Sequence, residues 1–194
     1  MQTTQSINCK TYVPWLTDKA SNVYTQFGED GLIDAVFEKI GTTNRHCFEI
    51  GASDGVWYSN TLKLRELGWF AALIEGDPVA FDKLKESFGM VSDCLFGTIK
   101  DLDAALNVTH LDKSPDFGVI DIDGQDFYMW SDLHLYRPRV MLVEIHPYPN
   151  EPIPERGGLG QGGLDSIASL GGKKGYTLVA STYCNALFVE SKLL

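Results

Sequence analysis

Six side chains with useful chemistry stand at or just past the ends of short apolar runs: Glu49, Glu75, Asp121, Asp123, Glu144 and His146. If those runs are neighbouring parallel strands, the six gather along one edge, where open α/β sheets bind their ligands. Carboxylates in such a place accept from hydroxyls or an ammonium, take a proton, or hold a hard cation. The imidazole of His146 suits a general base, because its ordinary titration range lies near working pH. The densest stretch is Glu49-Ile50-Gly51-Ala52-Ser53-Asp54-Gly55, an acid followed by two glycines four apart. Gly51 permits a sharp turn, and Gly55 lets backbone or ligand pass where a Cβ would block it. Glu75 follows Gly51 by 24 residues, leads into Gly76 and Asp77, and matches the carboxylate that receives ribose hydroxyls in nucleotide-binding sheets.

The same acids select among nucleotides. A dinucleotide site holds a pyrophosphate on bare N–H groups at a helix N-terminus. Here the spacing is G-x-x-x-G instead of G-x-G-x-x-G, and Glu49, Asp54, Glu75 and Asp77 surround the turn. Phosphate would be repelled. S-adenosylmethionine carries a sulfonium and an ammonium, has no phosphate, and still offers ribose hydroxyls.

The elements that must position these groups follow from periodicity. Apolar residues at helical spacing predict a helix over 29–40, ending near Gly41, with Glu29 and Asp30 in its first turn. Those two acids read as helix capping, or else the Gln26–Asp30 turn folds over the cofactor site. Strands are expected at 47–50, 70–75, 91–96, 117–123 and 139–146, with helices at 57–67, 78–88, 100–106, 125–135 and 164–170 between and after them. Two closing strands, 176–180 and 185–190, form an antiparallel hairpin. Strands alternating with helices imply a doubly wound, mostly parallel α/β sheet with helices on both faces. Residues 1–21 lack a period and read as an arm packed down by Tyr12, Val13, Trp15 and Leu16. The body is then one unit over 22–194, interrupted by a loop-rich insertion at 147–163 with four prolines. A loop of that length in a compact domain is more often functional than idle.

Charge and composition remove several classes. A net charge of −10 without a basic stripe argues against nucleic acid and against an anionic membrane surface. No apolar run approaches the roughly 18 residues of a membrane span. Met1 to Lys19 is polar and has no signal-peptide core. The four cysteines show no C-x-x-C and no zinc spacing, so a reduced, cytoplasmic setting is expected.

With those blocks in view, the chain resembles the FkbM-like group of class I S-adenosylmethionine-dependent methyltransferases. The resemblance is carried by Gln26-Phe27-Gly28-Glu29-Asp30-Gly31, Phe48-Glu49-Ile50-Gly51-Ala52-Ser53-Asp54-Gly55 and Asn60-Thr61. It continues through Leu67-Gly68-Trp69, Ile74-Glu75-Gly76-Asp77, Ile120-Asp121-Ile122-Asp123-Gly124, Arg137-Pro138-Arg139, Lys173-Lys174-Gly175-Tyr176 and Asn185-Ala186-Leu187-Phe188-Val189. It implies a Rossmann-like sheet of seven strands, the last antiparallel, and methylation of a hydroxyl on a sugar or other small molecule. His146 departs from the group, where many relatives carry a neutral amide.

The resemblance assigns Glu49, Gly51, Ser53, Asp54, Gly55 and Asn60 to the methionine end of the cofactor. Glu75, Gly76 and Asp77 go to the ribose, Gly97 to the adenine border, and Asp121 to the donor's flank. Asp77 reads equally as an N-cap for a helix beginning at Pro78. Asp121, Asp123, Glu144 and His146 would converge above the donor to bind the acceptor, or to hold Mg²⁺. His146, Asp121 or Asp123 would take the hydroxyl proton. The plainer alternative makes some of these acids capping or ion-pair groups, with Asp126 and Arg137 or Arg139 as partners. Asn185 is given turn chemistry only. Two other functional classes stay open, a nicotinamide-dependent oxidoreductase and a non-catalytic binding or assembly module of the same fold.

Overall fold

The structure is a computed structural model that describes residues 9–87, 92–96 and 101–194. Among them, in chain order, lie β1 (Lys10–Thr11), α1 (Glu29–Ile40), β2 (His46–Ile50), α2 (Leu62–Glu66), β3 (Phe70–Glu75), α3 (Pro78–Ser87) and β4 (Ser92–Phe96). Then come α4 (Leu102–Asn107), β5 (Phe117–Ile120), α5 (Asp126–Asp132), β6 (Val140–Glu144), α6 (Leu164–Lys173), β7 (Tyr176–Ser181) and β8 (Asn185–Glu190). The strands form one sheet in the order β1-β7-β8-β6-β5-β2-β3-β4. The five from β2 to β6 run parallel, and β8 is antiparallel to both β6 and β7. The expected seven strands are present, and the arm adds β1 as a two-residue eighth against β7.

Alternation along each strand sends its apolar residues into two layers. Cys47, Leu73, Val119, Leu142 and Leu187 pack with Leu32 and Val36 of α1, Leu64 of α2 and Leu84 of α3. Phe48, Ile74, Ile120, Val143 and Phe188 pack with Leu106 of α4, Trp130 of α5 and Ile167 of α6. Both faces are covered, which is why the central strands read as continuous apolar runs. The arm is pinned as expected by the fully buried Leu16, with Val13 and Trp15 beside it, whereas Tyr12 stays at the surface.

The largest departure is the helix expected at 57–67. Only Leu62–Glu66 is helical, and the loop before it has left-handed backbone at Ser53 (φ 49°) and Tyr58 (φ 54°). The carboxylate of Asp54 accepts the N–H groups of Val56 and Trp57, and Glu49 accepts that of Asn60. Those side-chain acceptors hold the backbone in turns and offer it an alternative to helix.

Candidate functional site

The sheet changes direction at β2, with β3 on one side and β5 on the other. At that switch point the chain turns sharply at Gly51, φ 82°. A Cβ on Gly51 would lie 1.7 Å from the carbonyl oxygen of Asp121. The turn after β2 and the turn after β5 therefore meet without side-chain space between them. Above them opens a pocket of about 520 Å³, lined by Gly51, Ser53, Glu75, Asp77, Asp121 and Asp123. Its apolar wall comes from Ile50, Ile74, Ile122 and Met129, and Gly76 completes the β3 side.

Each acid plays a distinct part. The carboxylate of Glu75 accepts the N–H of Ser53 on one oxygen (2.6 Å) and of Asp77 on the other (2.7 Å), so it joins the β2 and β3 turns at the pocket wall. Asp77 accepts the N–H groups of Val79 and Ala80 and so caps α3 while facing the pocket. Glu49, 3% exposed, does not line the pocket. It accepts the hydroxyls of Ser59 and Thr61 and the N–H of Asn60, anchoring the 51–61 loop from below. Arg65 grips the same loop through the Gly55 carbonyl and the Ser59 hydroxyl. Asp54 stays at the surface as the loop's turn-former, and the N–H groups of Trp57 and Val56 hold its carboxyl below the usual range. Asn60 is 5% exposed, and its side-chain Oδ1 is buried with no hydrogen-bond partner. Gly97 lies outside the described residues.

Beside the pocket, the acids after β5 and β6 crowd one another. Asp121 and Glu144 lie close enough for the charge of one to bear on the other. Burial, and then the neighbouring charges of Glu144, Asp126 and Glu49, push the Asp121 carboxyl well above the usual carboxylate range. Burial, with Asp126 and Asp123 nearby, pushes Glu144 up to about 7, against the N–H of Asp123 and the side chain of Gln161. Asp126 is raised to about 6 by burial, although it accepts the N–H groups of Ile122 and Gly124. It shapes the turn after β5, in keeping with the plainer reading of these acids. Arg137 and Arg139 serve elsewhere, paired with Glu190 and Asp116.

The expected convergence of four groups is not what the structure builds. Asp123 has left-handed backbone (φ 55°), and its N–H, not its carboxylate, meets Glu144. His146 does not line the large pocket. Strand β6 ends at Glu144, and His146 bridges to Gly163, which carries its ring to a second pocket of about 360 Å³. There its Nδ1 accepts the N–H of Tyr148. Among the described residues no group of three or more His, Cys, Asp or Glu side chains is placed to hold a metal ion, so the Mg²⁺ expectation finds no ligand set.

The Gln26–Asp30 acids keep structural employment, though not on their own helix. Asp30 gathers the N–H groups of Val23, Tyr24 and Thr25, and Glu29 accepts from Phe27, Thr182 and Asn185. Asn185 does more than turn chemistry. It pairs directly opposite Glu144, so both side chains share one face, and its Oδ1 is buried without a partner. Only knowing that β8 enters beside β6 would have flagged it.

The chain superposes on a candidate caffeoyl-CoA O-methyltransferase from Staphylococcus aureus with TM-score 0.58 and 13% identity, over 89% of this chain and 87% of that one. TomG, an O-methyltransferase from Streptomyces achromogenes solved in complex with SAM, gives 0.57 and 17%, over 90% and 83%. The likeness is one of fold, a Rossmann-like, mostly parallel α/β sheet. A pericyclic reaction enzyme gives 0.54 and 11%, over 90% of this chain; the chain spans 50% of that enzyme's length. No family description and no curated protein matches the sequence. Among the described residues, no helix is long and apolar enough to cross a membrane.

Proposed function

We propose that this protein is a methyltransferase that uses S-adenosylmethionine as methyl donor and a hydroxyl on a sugar or other small molecule as acceptor, within the FkbM-like group its sequence blocks resemble. The observation that carries the reading is the acid-lined pocket of about 520 Å³ at the switch point, closed beneath by Gly51 against Asp121. It fits a cationic, donor-rich ligand: its walls carry Glu75, Asp77, Asp121 and Asp123. On the loop that borders it, the buried Oδ1 of Asn60 lacks a donor that an ammonium would supply. A pyrophosphate would meet the same carboxylates unfavourably, which disfavours the oxidoreductase reading.

Bound there, the cofactor would supply a methyl group made electrophilic by its sulfonium. The protein's own contribution is placement and proton handling. Glu75, already fixed by two amide donors, keeps lone pairs for both ribose hydroxyls. Glu49 and Arg65 hold the 51–61 loop in a fixed shape beside the donor pocket. Asp121 lines the pocket beside Glu144, and its ionised carboxylate would take the acceptor's proton as the new carbon–oxygen bond forms and the carbon–sulfur bond breaks. Holding the two reactants in line accounts for much of the acceleration in such displacements.

Calorimetric titration of S-adenosylmethionine and of NADH separates the readings. Micromolar binding of the first and none of the second is the expected outcome. Binding of NADH instead would overturn the methyltransferase, and binding of neither would favour the non-catalytic module.

A further inference from the structure

We infer that the pocket of about 270 Å³ walled by Arg137, Lys173 and Lys174 is a binding site for the phosphate group of a small molecule. The inference stands apart from the methyltransferase reading and does not depend on it.

Two basic blocks meet at this pocket. Arg137 and Pro138 come just before β6, and Lys173, Lys174 and Gly175 lead from α6 into β7. Strands β6 and β7 both run antiparallel to β8, so the two blocks share the amino edge, opposite the pocket at the switch point. The end of α5 brings His134 to the same cavity, over the buried rings of Trp130, Tyr136 and Tyr176. No carboxylate lines it, although the chain carries a net charge of −10.

Three constraints aim the Arg137 guanidinium. Its Nε donates to Glu190 (2.6 Å), and its carbon lies 5.0 Å from the centre of the Tyr176 ring. One terminal nitrogen sits 3.0 Å from where a Cβ on Gly175 would stand, so the bare turn leaves room for it. A fork fixed at these points loses little freedom when its terminal N–H groups grip an oxyanion. Beside it, Lys174 Nζ donates to the carbonyls of Leu133 (2.8 Å) and Ser131 (3.3 Å), which leaves one of its three N–H groups. Capping α5 accounts for that much of Lys174, but it makes no use of Lys173 or of the Arg137 tip. Burial, and then the charge of Arg137, pull the Lys174 ammonium below its usual range, a repulsion that a bound anion would relieve.

The nearby acids are engaged elsewhere. Asp103 accepts the N–H groups of His134, Leu135 and Tyr136, Asp132 pairs with Arg156, and Glu190 holds both Arg137 and Lys192. Among the described residues, neither Lys173 nor Lys174 has a carboxylate at ion-pair distance.

This inventory selects the ligand. Lysine and arginine donate and never accept. The Tyr176 hydroxyl donates to the Pro138 carbonyl (2.6 Å), and that of Tyr136 accepts from Lys113 (3.0 Å). A polyol needs acceptors as well as donors, and His134 alone could supply one; a cation would be repelled. Acceptor oxygens with negative charge satisfy every free donor. Three positive charges converging from two segments favour a dianion with three or more oxygens over a monocarboxylate with two. Because the basic cluster is one pocket wide on an acidic chain, it fits a free small molecule and not an anionic membrane.

The test is an amide NMR titration of the full chain at about pH 7.5, where phosphate groups are largely dianionic. The probes are inorganic phosphate, glycerol 2-phosphate and acetate at one ionic strength, so a free ion, an ester and a carboxylate are compared. Lys173→Glu changes an exposed side chain, and Arg137→Lys keeps the charge while removing the fork. Both phosphates should shift the Gly175 and His134 amides and saturate, and acetate should not. Each variant should weaken phosphate about tenfold, with the phosphate-free melting temperature unchanged within about 2 °C. If Arg137→Lys melts lower, Lys173→Glu decides. Phosphate that shifts neither amide overturns the inference. So does acetate that binds as tightly, or phosphate binding that Lys173→Glu leaves unchanged, which would mean an adventitious surface ion only.

Discussion

At Glu75 two backbone donors reach one carboxylate, and the same oxygens face the donor pocket. Hydrogen bonds to a charged group contribute about 1.5–3 kcal/mol, so Glu75→Ala should weaken S-adenosylmethionine binding roughly ten- to a hundredfold in calorimetry. Equal affinity would remove Glu75 from the ribose. Gly51 makes a second residue-scale prediction. Its backbone is left-handed and its Cβ position is occupied by the Asp121 carbonyl. Gly51→Ala must therefore separate the β2 and β5 turns, and both cofactor binding and melting temperature should fall. A variant with wild-type affinity would show that the two turns need not touch.

The elements are held in register by buried acids that cross between them. Asp116, just before β5, is fully buried and accepts from the N–H groups of Thr43, Asn44 and Arg45, from the Thr43 hydroxyl, and from Arg139 at the start of β6. Burial works to raise its carboxyl, yet the guanidinium of Arg139 and the amide donors of the α1–β2 turn hold it below the usual range. Breaking such a pair leaves an uncompensated buried guanidinium, at a cost of about 3–5 kcal/mol. Asp116→Asn should lose that much stability in urea unfolding, while a loss under about 1 kcal/mol would place the pair among ordinary surface contacts. The 147–163 segment is fixed in the same manner. Gln125 at the start of α5 bonds the carbonyls of Glu155 and Gly158 and the N–H of Gly157, and Arg156 pairs with Asp132. An aperiodic stretch is thus a fastened wall, which its prolines and glycines alone did not reveal.

Over the whole molecule, two sets of carboxyls pull stability in opposite directions with pH. Glu144 at about 7 and Asp126 at about 6 bind protons more tightly in the fold than in the unfolded chain. Their contribution is complete below their unfolded values near 4 and is lost as pH rises through 6 to 7. Asp116 and Glu190 are depressed, by Arg139 and Arg137 against the opposing effect of burial. Their contribution is present above about 4 and is lost as pH falls through their folded values. Thermal melts should therefore peak at about pH 4 to 4.5, decline as pH rises to about 7, and level off above it. Glu144→Gln should flatten that decline; an unaltered profile would mean that Glu144 titrates normally.

The sequence by itself determined the order of strands and helices and the acids at the strand ends, because apolar periodicity and glycine after a strand report on local backbone and burial. It also placed Gly51 at the turn and Glu75 at the next strand end, since both depend on nearest neighbours along the chain. Tertiary structure alone decided which acids face the pocket. Glu49 is turned inward by Ser59 and Thr61, ten and twelve residues away. Asn185 joins Glu144 because β8 inserts between β6 and β7. His146 leaves the acid row because β6 ends at Glu144, and the two-residue alternation that would have aligned it holds only while the strand continues.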